Sequence, residues 1–130
     1  MHRMAAEYRV GIIGCGRKPG IGPGGRRVGG GIAENHAKAY EAHGRTRIVA
    51  AADISAENLE SFQERHQVAA GFLDYREMLA KEHLDIVSIC TWVGLHPQVC
   101  IDAANSKPQG ILCEKPMALS LREADAMLEA

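Results

Sequence analysis

Four short runs constrain this chain most: YRVGIIG (8–14), RIVAAAD (47–53), DIVSICT (85–91) and GILCE (110–114). Each is apolar along most of its length instead of alternating with polar residues. That is the pattern of a strand covered on both faces, as in a parallel sheet. A weaker strand is expected near Ala70 to Leu73. Amphipathic stretches lie between the runs. SAENLESFQERH sets Ala56, Leu59, Phe62 and His66 on one stripe, and DYREMLAKEH opens on Asp74 as an N-cap with Glu77 three residues on. GLHPQVCIDAANS offers Val99 and Ala103 as an inner face, with Ile101 and Ala104 nearby. The order β-α-β-α-β-α-β-α-β predicts an α/β fold with a parallel sheet and right-handed crossovers.

The tail, SLREADAMLEA, begins with a capping box from Ser120 to Glu123 and predicts Leu121, Ala124, Met127 and Leu128 facing inward. It reaches Ala130 without a Gly, Asn or Pro stop signal, so the expectation is a fragment or a truncated product with a sheet of about five strands. A flank left open beside the fifth strand predicts self-association or poor solubility.

The 130 residues suit one domain, and a formal charge of −1 gives no drive toward nucleic acid or a membrane surface. No apolar run approaches a membrane span, and no h-region precedes a cleavage site, which makes the cytoplasm the default expectation. Cys15, Cys90, Cys100 and Cys113 form no CxxC pair and read as buried reduced thiols. Six histidines are dispersed as well, so no metal is expected.

Chemistry concentrates where the first strand ends. Gly14-Cys15-Gly16 follows it directly, where the chain must turn tightly and a pyrophosphate could approach the backbone. The second strand ends at Asp53, whose carboxylate could accept both ribose hydroxyls of an adenosine and would repel a 2′-phosphate. The spacing is anomalous: 39 residues separate Gly14 from Asp53, against about 20 in a dinucleotide-binding unit. Removing Lys18 to Gly31 shortens the gap to 25 residues and splices GCGR onto IAENHAKAY. The splice restores a Gly-x-Gly-x-x-Ala fingerprint in which Ala33 is the small packing residue. The loop therefore reads as interrupted by an insertion at 18–31, and the fold as a Rossmann-like doubly wound sheet.

Taken together, RVGIIGCGR…IAENHAKAY, VAAADIS, DYREMLAKEHLDIVSICT, GLH and CEKPMALSLREADAML resemble the N-terminal domain of the glucose–fructose oxidoreductase / inositol dehydrogenase (Gfo/Idh/MocA) family. The resemblance covers essentially the whole chain outside the insertion, and Glu114-Lys115-Pro116 is its most specific part. It implies a domain that binds NAD or NADP, of which Asp53 favours NAD, joined in the family to a second domain that holds most of the substrate site. Carried over, Gly14, Gly16 and Ile32 would line the pyrophosphate with Arg17 beside them. Asp53 would hold the adenosine ribose, Thr91, Trp92 and His96 the middle of the cofactor, and Glu114 the nicotinamide-side ribose. Lys115 would sit by the nicotinamide and the substrate hydroxyl as the catalytic residue. A lysine at the carboxyl end of a parallel strand lies where open α/β sheets bind ligands, and its ammonium can stabilise or relay the proton of a developing alkoxide. The implied reaction is hydride transfer between a nicotinamide and a sugar, inositol or related polyol.

Three alternatives stay open at this level. Trp92 and Val93 replace the family's usual Pro and Asn, so Trp92 either stacks on the cofactor or fills the core. His96 either touches the cofactor or is an ordinary helix-start histidine. The insert, KPGIGPGGRRVGGG, is either a basic flap carrying Lys18, Arg26 and Arg27 or a surface loop without regular structure. It lacks a P-loop pattern. With the family's downstream Asp/His pair absent from these residues, a non-catalytic nucleotide-binding or interaction module is the competing function.

Overall fold

The computed structural model describes residues 7–17, 20, 21, 23–25, 27, 28 and 31–130. In chain order the elements are β1 (Tyr8–Ile13), β2 (Gly20–Ile21), a 3-10 turn (Pro23–Gly25), β3 (Arg27–Val28), α1 (Gly31–Ala42), β4 (Thr46–Ala52) and α2 (Ala56–His66). There follow β5 (Ala70–Phe72), α3 (Tyr75–Lys81), β6 (Ile86–Ile89), a 3-10 turn (Val93–Leu95), α4 (His96–Asn105), β7 (Gly110–Cys113) and α5 (Leu121–Glu129). All five expected strands form, and they pair in the order β5-β4-β1-β6-β7 with every pairing parallel. Chain order therefore reverses direction at β1, the topology of a dinucleotide-binding sheet.

The unalternating strands are covered on both faces. One core joins Val10, Ile12 and Ile48 to Ala33 and Ala37 of α1 and to Leu59 and Phe62 of α2. The other joins Ile13, Ala52, Val87 and Ile89 to Met78 of α3, Val99 and Ala103 of α4 and Met127 of α5. A bulge makes this sorting work: the β1–β4 register shifts between Val10 and Gly11, which pair with Ile48 and Ala50. The extra residue, Val49, reverses the side-chain phase of Ala50–Ala52, which lead straight into Asp53.

Helix starts follow the caps expected of them. Asp74 Oδ1 accepts from Arg76 N at 2.8 Å, and the Ser120 hydroxyl accepts from Glu123 N at 3.2 Å while donating to Glu123 Oε2 at 3.0 Å. Other expectations need correction. Leu121 is 85 % and Leu128 76 % exposed, because both lie about 100° or more around the helix from the buried Met127. Ala56 is exposed too, while Cys100 is a buried thiol beside Val99, as expected.

The insertion is not a loop devoid of structure: Gly20 and Ile21 pair antiparallel with Val28 and Arg27. Lys18, Arg26 and the Arg27 side chain lie outside the described residues. Helix α1 begins at Gly31, inside the expected 18–31 boundary. Among the described residues no helix is long and apolar enough to cross a membrane.

Candidate functional site

The turn after β1 is built from backbone constraints. Gly14 has φ +85°, and its N–H donates to Ala52 O at 2.8 Å. A Cβ at Gly14 would lie 2.9 Å from the backbone of Cys90 and Thr91, so both conformation and space require glycine. Gly16, at φ +73°, completes the turn. Helix α1 returns to it despite the insertion: a Cβ on Gly31 would stand 3.2 Å from Gly16 Cα. The two ends of the interruption therefore meet, and α1 starts against the glycine turn.

Asp53 ties this turn to the next strand. Its Oδ2 accepts from Cys15 N at 2.8 Å, and its Oδ1 accepts from Ser55 N at 2.8 Å. Each oxygen keeps a further lone pair for a ligand. The bulge at Val49 is what brings Asp53 into phase with the turn.

A cleft of about 370 Å³ opens at the carboxyl ends of β1, β4 and β6. Six residues singled out from the sequence line it: Gly14, Gly16, Arg17, Asp53, Thr91 and Trp92. Its rim is apolar and open, with Ile54 93 %, Leu73 58 % and Leu95 49 % exposed. Trp92 is 72 % exposed, so it does not fill the core. Its indole lies over Gly94, where a Cβ would come within 2.3 Å of the ring.

The other four expected residues are not on the wall of this cleft. Ile32 sits partly exposed in the first turn of α1. His96 is buried, with Nδ1 2.9 Å from Pro116 O and Nε2 3.0 Å from Thr91 O, so the ring bridges two loops. Lys115 is exposed, and the Lys115–Pro116 bond is cis. Glu114 leaves β7 with its N–H on Ile89 O at 3.0 Å, and its side chain turns toward α1.

There it meets a group the sequence reading missed. Glu114 Oε1 is 2.7 Å from His36 Nε2, His36 Nδ1 is 3.1 Å from Ser88 Oγ, and Ser88 Oγ is 2.7 Å from the Tyr40 hydroxyl. Glu114 Oε2 accepts from Lys115 N at 3.2 Å. The hydrogen bond from His36 holds the Glu114 carboxyl below its ordinary value; burial opposes this, and the Lys115 N–H adds to the lowering. The signal was present in Ala33, His36, Ala37 and Tyr40, whose spacing puts two polar residues on the helix's apolar stripe.

The surroundings of the cysteines disfavour the thiolate. Burial, with the negative charge of Asp53 second, pushes the Cys15 thiol up to about 12. Burial also lifts Cys90 to about 12 and Cys113 to about 11, leaving protonated thiols at neutral pH.

Comparison with known proteins agrees with this geometry. The model of the Gfo/Idh/MocA oxidoreductase family, described as an NAD-binding Rossmann fold, matches residues 28–130. An uncharacterized oxidoreductase of Bacillus subtilis, YrbE, is 31% identical over 127 residues, which is 98% of this chain and 33% of that protein. Myo-inositol 2-dehydrogenase of Thermotoga maritima is 26% identical over 93% of this chain and 32% of its own length. The crystal structure of the WlbA dehydrogenase from Bordetella pertussis, in complex with NADH and UDP-GlcNAcA, superposes with a TM-score of 0.79 at 28% identity, covering 95% of this chain and 34% of that one. The chain thus spans about a third of the length of these relatives.

Proposed function

The chain belongs to the Gfo/Idh/MocA oxidoreductase family as an NAD-binding Rossmann domain, and on that premise we propose how its residues hold the cofactor and what reaction they serve. The pyrophosphate lies on the turn Gly14–Arg17, where positive-φ glycines and the start of α1 leave backbone within reach of an anion. Asp53 takes the adenosine ribose. The observation that carries this reading is the Cys15 N–H on Asp53 Oδ2, which fixes a carboxylate at the edge of the glycine turn. The same charge disfavours a 2′-phosphate, so NAD is preferred over NADP. Ile54 and Leu73 offer apolar cover to the adenine, and Thr91 and Trp92 flank the middle of the cofactor.

When bound, the nicotinamide supplies a hydride acceptor or donor. The work of this chain is to orient it and to handle a proton. Lys115, exposed past the end of β7, stabilises the alkoxide that develops as a carbinol gives up its hydroxyl proton, or passes that proton on, so that departure of hydride leaves a carbonyl. Glu114 and His96 act behind the cleft, through the backbone they hold, and Ile32 in the first turn of α1 flanks the pyrophosphate. The substrate class is a sugar, inositol or related polyol, as the name of the Thermotoga relative suggests. A cytoplasmic setting and self-association through the open β7 edge, where Leu112 is 50 % exposed, complete the reading.

Titration calorimetry with NADH and NADPH tests it. NADH should bind and NADPH should bind more weakly, with Asp53→Ala narrowing the gap between them. A chain that binds neither dinucleotide overturns the proposal.

A further inference from the structure

Helix α1 touches both ends of the proposed cofactor site. Gly31 begins it against Gly16, and His36, five residues on and about 7.5 Å along the axis, reaches Glu114. We propose, resting on the NAD reading, that His36 is a positioning residue for the nicotinamide end: it holds Glu114, and through Glu114 the Lys115 backbone, at a fixed distance from the glycine turn.

With a neutral imidazole the hydrogen bonds have one consistent direction. An ionised Glu114 only accepts, so His36 Nε2 carries the proton and donates to Oε1. His36 Nδ1 is then left to accept from the Ser88 hydroxyl, whose oxygen accepts from Tyr40. The other Glu114 oxygen receives Lys115 N–H. Donors thus converge on the Glu114 carboxylate, from Tyr40 through Ser88 and His36 on one side and from the peptide N–H of the catalytic lysine on the other. No buried side-chain nitrogen or oxygen among the described residues lacks a partner, so the network is complete.

Packing alone does not account for it. His36 is 8 % and Ser88 0 % exposed, and both sit among apolar neighbours. Replacing a buried polar pair by apolar residues of similar volume is often neutral or stabilising, so the polar version gives geometry in place of stability. Its anchors lie on α1, on β6 and just past the end of β7, and it links α1 to the Glu-Lys-Pro turn through side chains. Neither Glu114 nor His36 lines the cleft, which makes the role one of placement and not of contact.

Two probes separate this from a purely structural role: NADH, and ADP-ribose, which lacks the nicotinamide ring. His36→Leu should weaken NADH at least about tenfold, the loss expected of one hydrogen bond to a charged group, and leave ADP-ribose within about twofold. His36→Gln, whose amide nitrogen reaches where Nε2 lies, should recover most of the loss. Equal losses for both ligands, or none for either, overturn the proposal. Nitrogen-15 correlation spectra of the wild-type chain give a test that needs no variant: the Nε2–H tautomer supports the assignment, and an Nδ1–H tautomer overturns it. A wild-type chain that binds neither probe removes the cofactor reading itself. Binding with no split among the His36 variants removes only the positioning role.

Discussion

The two ends of the site are held in different ways. At β1 and β4 the glycine turn is fixed by backbone: positive φ at Gly14 and Gly16, the Gly14 N–H on Ala52 O, and Asp53 bonded to two main-chain N–H groups. At β6 and β7 the Glu-Lys-Pro turn is fixed by side chains: Tyr40, Ser88, His36, Glu114 and His96. Backbone constraints tolerate almost no substitution, whereas side-chain networks lose their members one at a time. The first end should therefore fail abruptly when mutated, and the second gradually.

The sharpest way to break that comparison is Gly14→Ala. A Cβ there meets the Cys90 and Thr91 backbone at 2.9 Å, in a conformation L-residues avoid. Strain at such a position costs on the order of 1–3 kcal/mol, and the contact with main chain, which cannot swing aside, adds to it. Denaturant unfolding should show a loss of about 3 kcal/mol or more, with NADH binding abolished. A variant as stable as wild type would mean that the turn is more pliable than its geometry.

The contrast also explains what could be read from sequence. A glycine turn declares itself locally, because Gly14, Gly16 and the strand before them are neighbours in the chain. The 14-residue insertion hid it only until its length was subtracted, and the contact of Gly31 on Gly16 gives that subtraction its structural meaning. The network at the other end joins residues 52 and 78 positions apart, and no local pattern pairs His36 with Ser88 or Glu114. The bulge at Val49 was equally silent, since a run of apolar residues carries no register. Leu121 and Leu128 misled for a related reason: apolarity names a buried face only when the helix has a partner along it.

Acidification sharpens the comparison at the second end. Glu114 titrates below its ordinary value near 4.5, so its interactions contribute stability above that value and lose it as pH falls through the lower, folded one. Between pH 7 and pH 3 the wild type should lose more stability than Glu114→Gln. The lowered Glu34, where burial opposes the hydrogen bonds and charges of His66 and Arg65, is common to both proteins and cancels. Parallel pH profiles would mean that the His36 contact adds nothing to folding. One step further back, Tyr40→Phe removes a single hydroxyl and should cost about 0.5–1.5 kcal/mol in urea unfolding. A larger loss would show that Ser88 cannot re-pair, and that this end is as brittle as the first.

The smallest expected effect on stability lies between the two ends. Trp92 is the chain's one tryptophan and is mostly exposed, resting on Gly94 beside the cleft. Removing an exposed ring should leave stability within about 0.5 kcal/mol. If the ring flanks the cofactor, Trp92→Ala should weaken NADH by about 2–12-fold, the range of a stacked aromatic contact worth roughly 0.5–1.5 kcal/mol. Gly94→Val should give a similar loss with the tryptophan still present, because its side chain occupies the space the indole uses. Fluorescence of the lone tryptophan, with NADH protecting it from acrylamide, reads the same contact in the wild type. A destabilised Trp92→Ala with unchanged NADH affinity would instead assign Trp92 to the side-chain scaffold, and move the boundary between the two ends to the near side of Thr91.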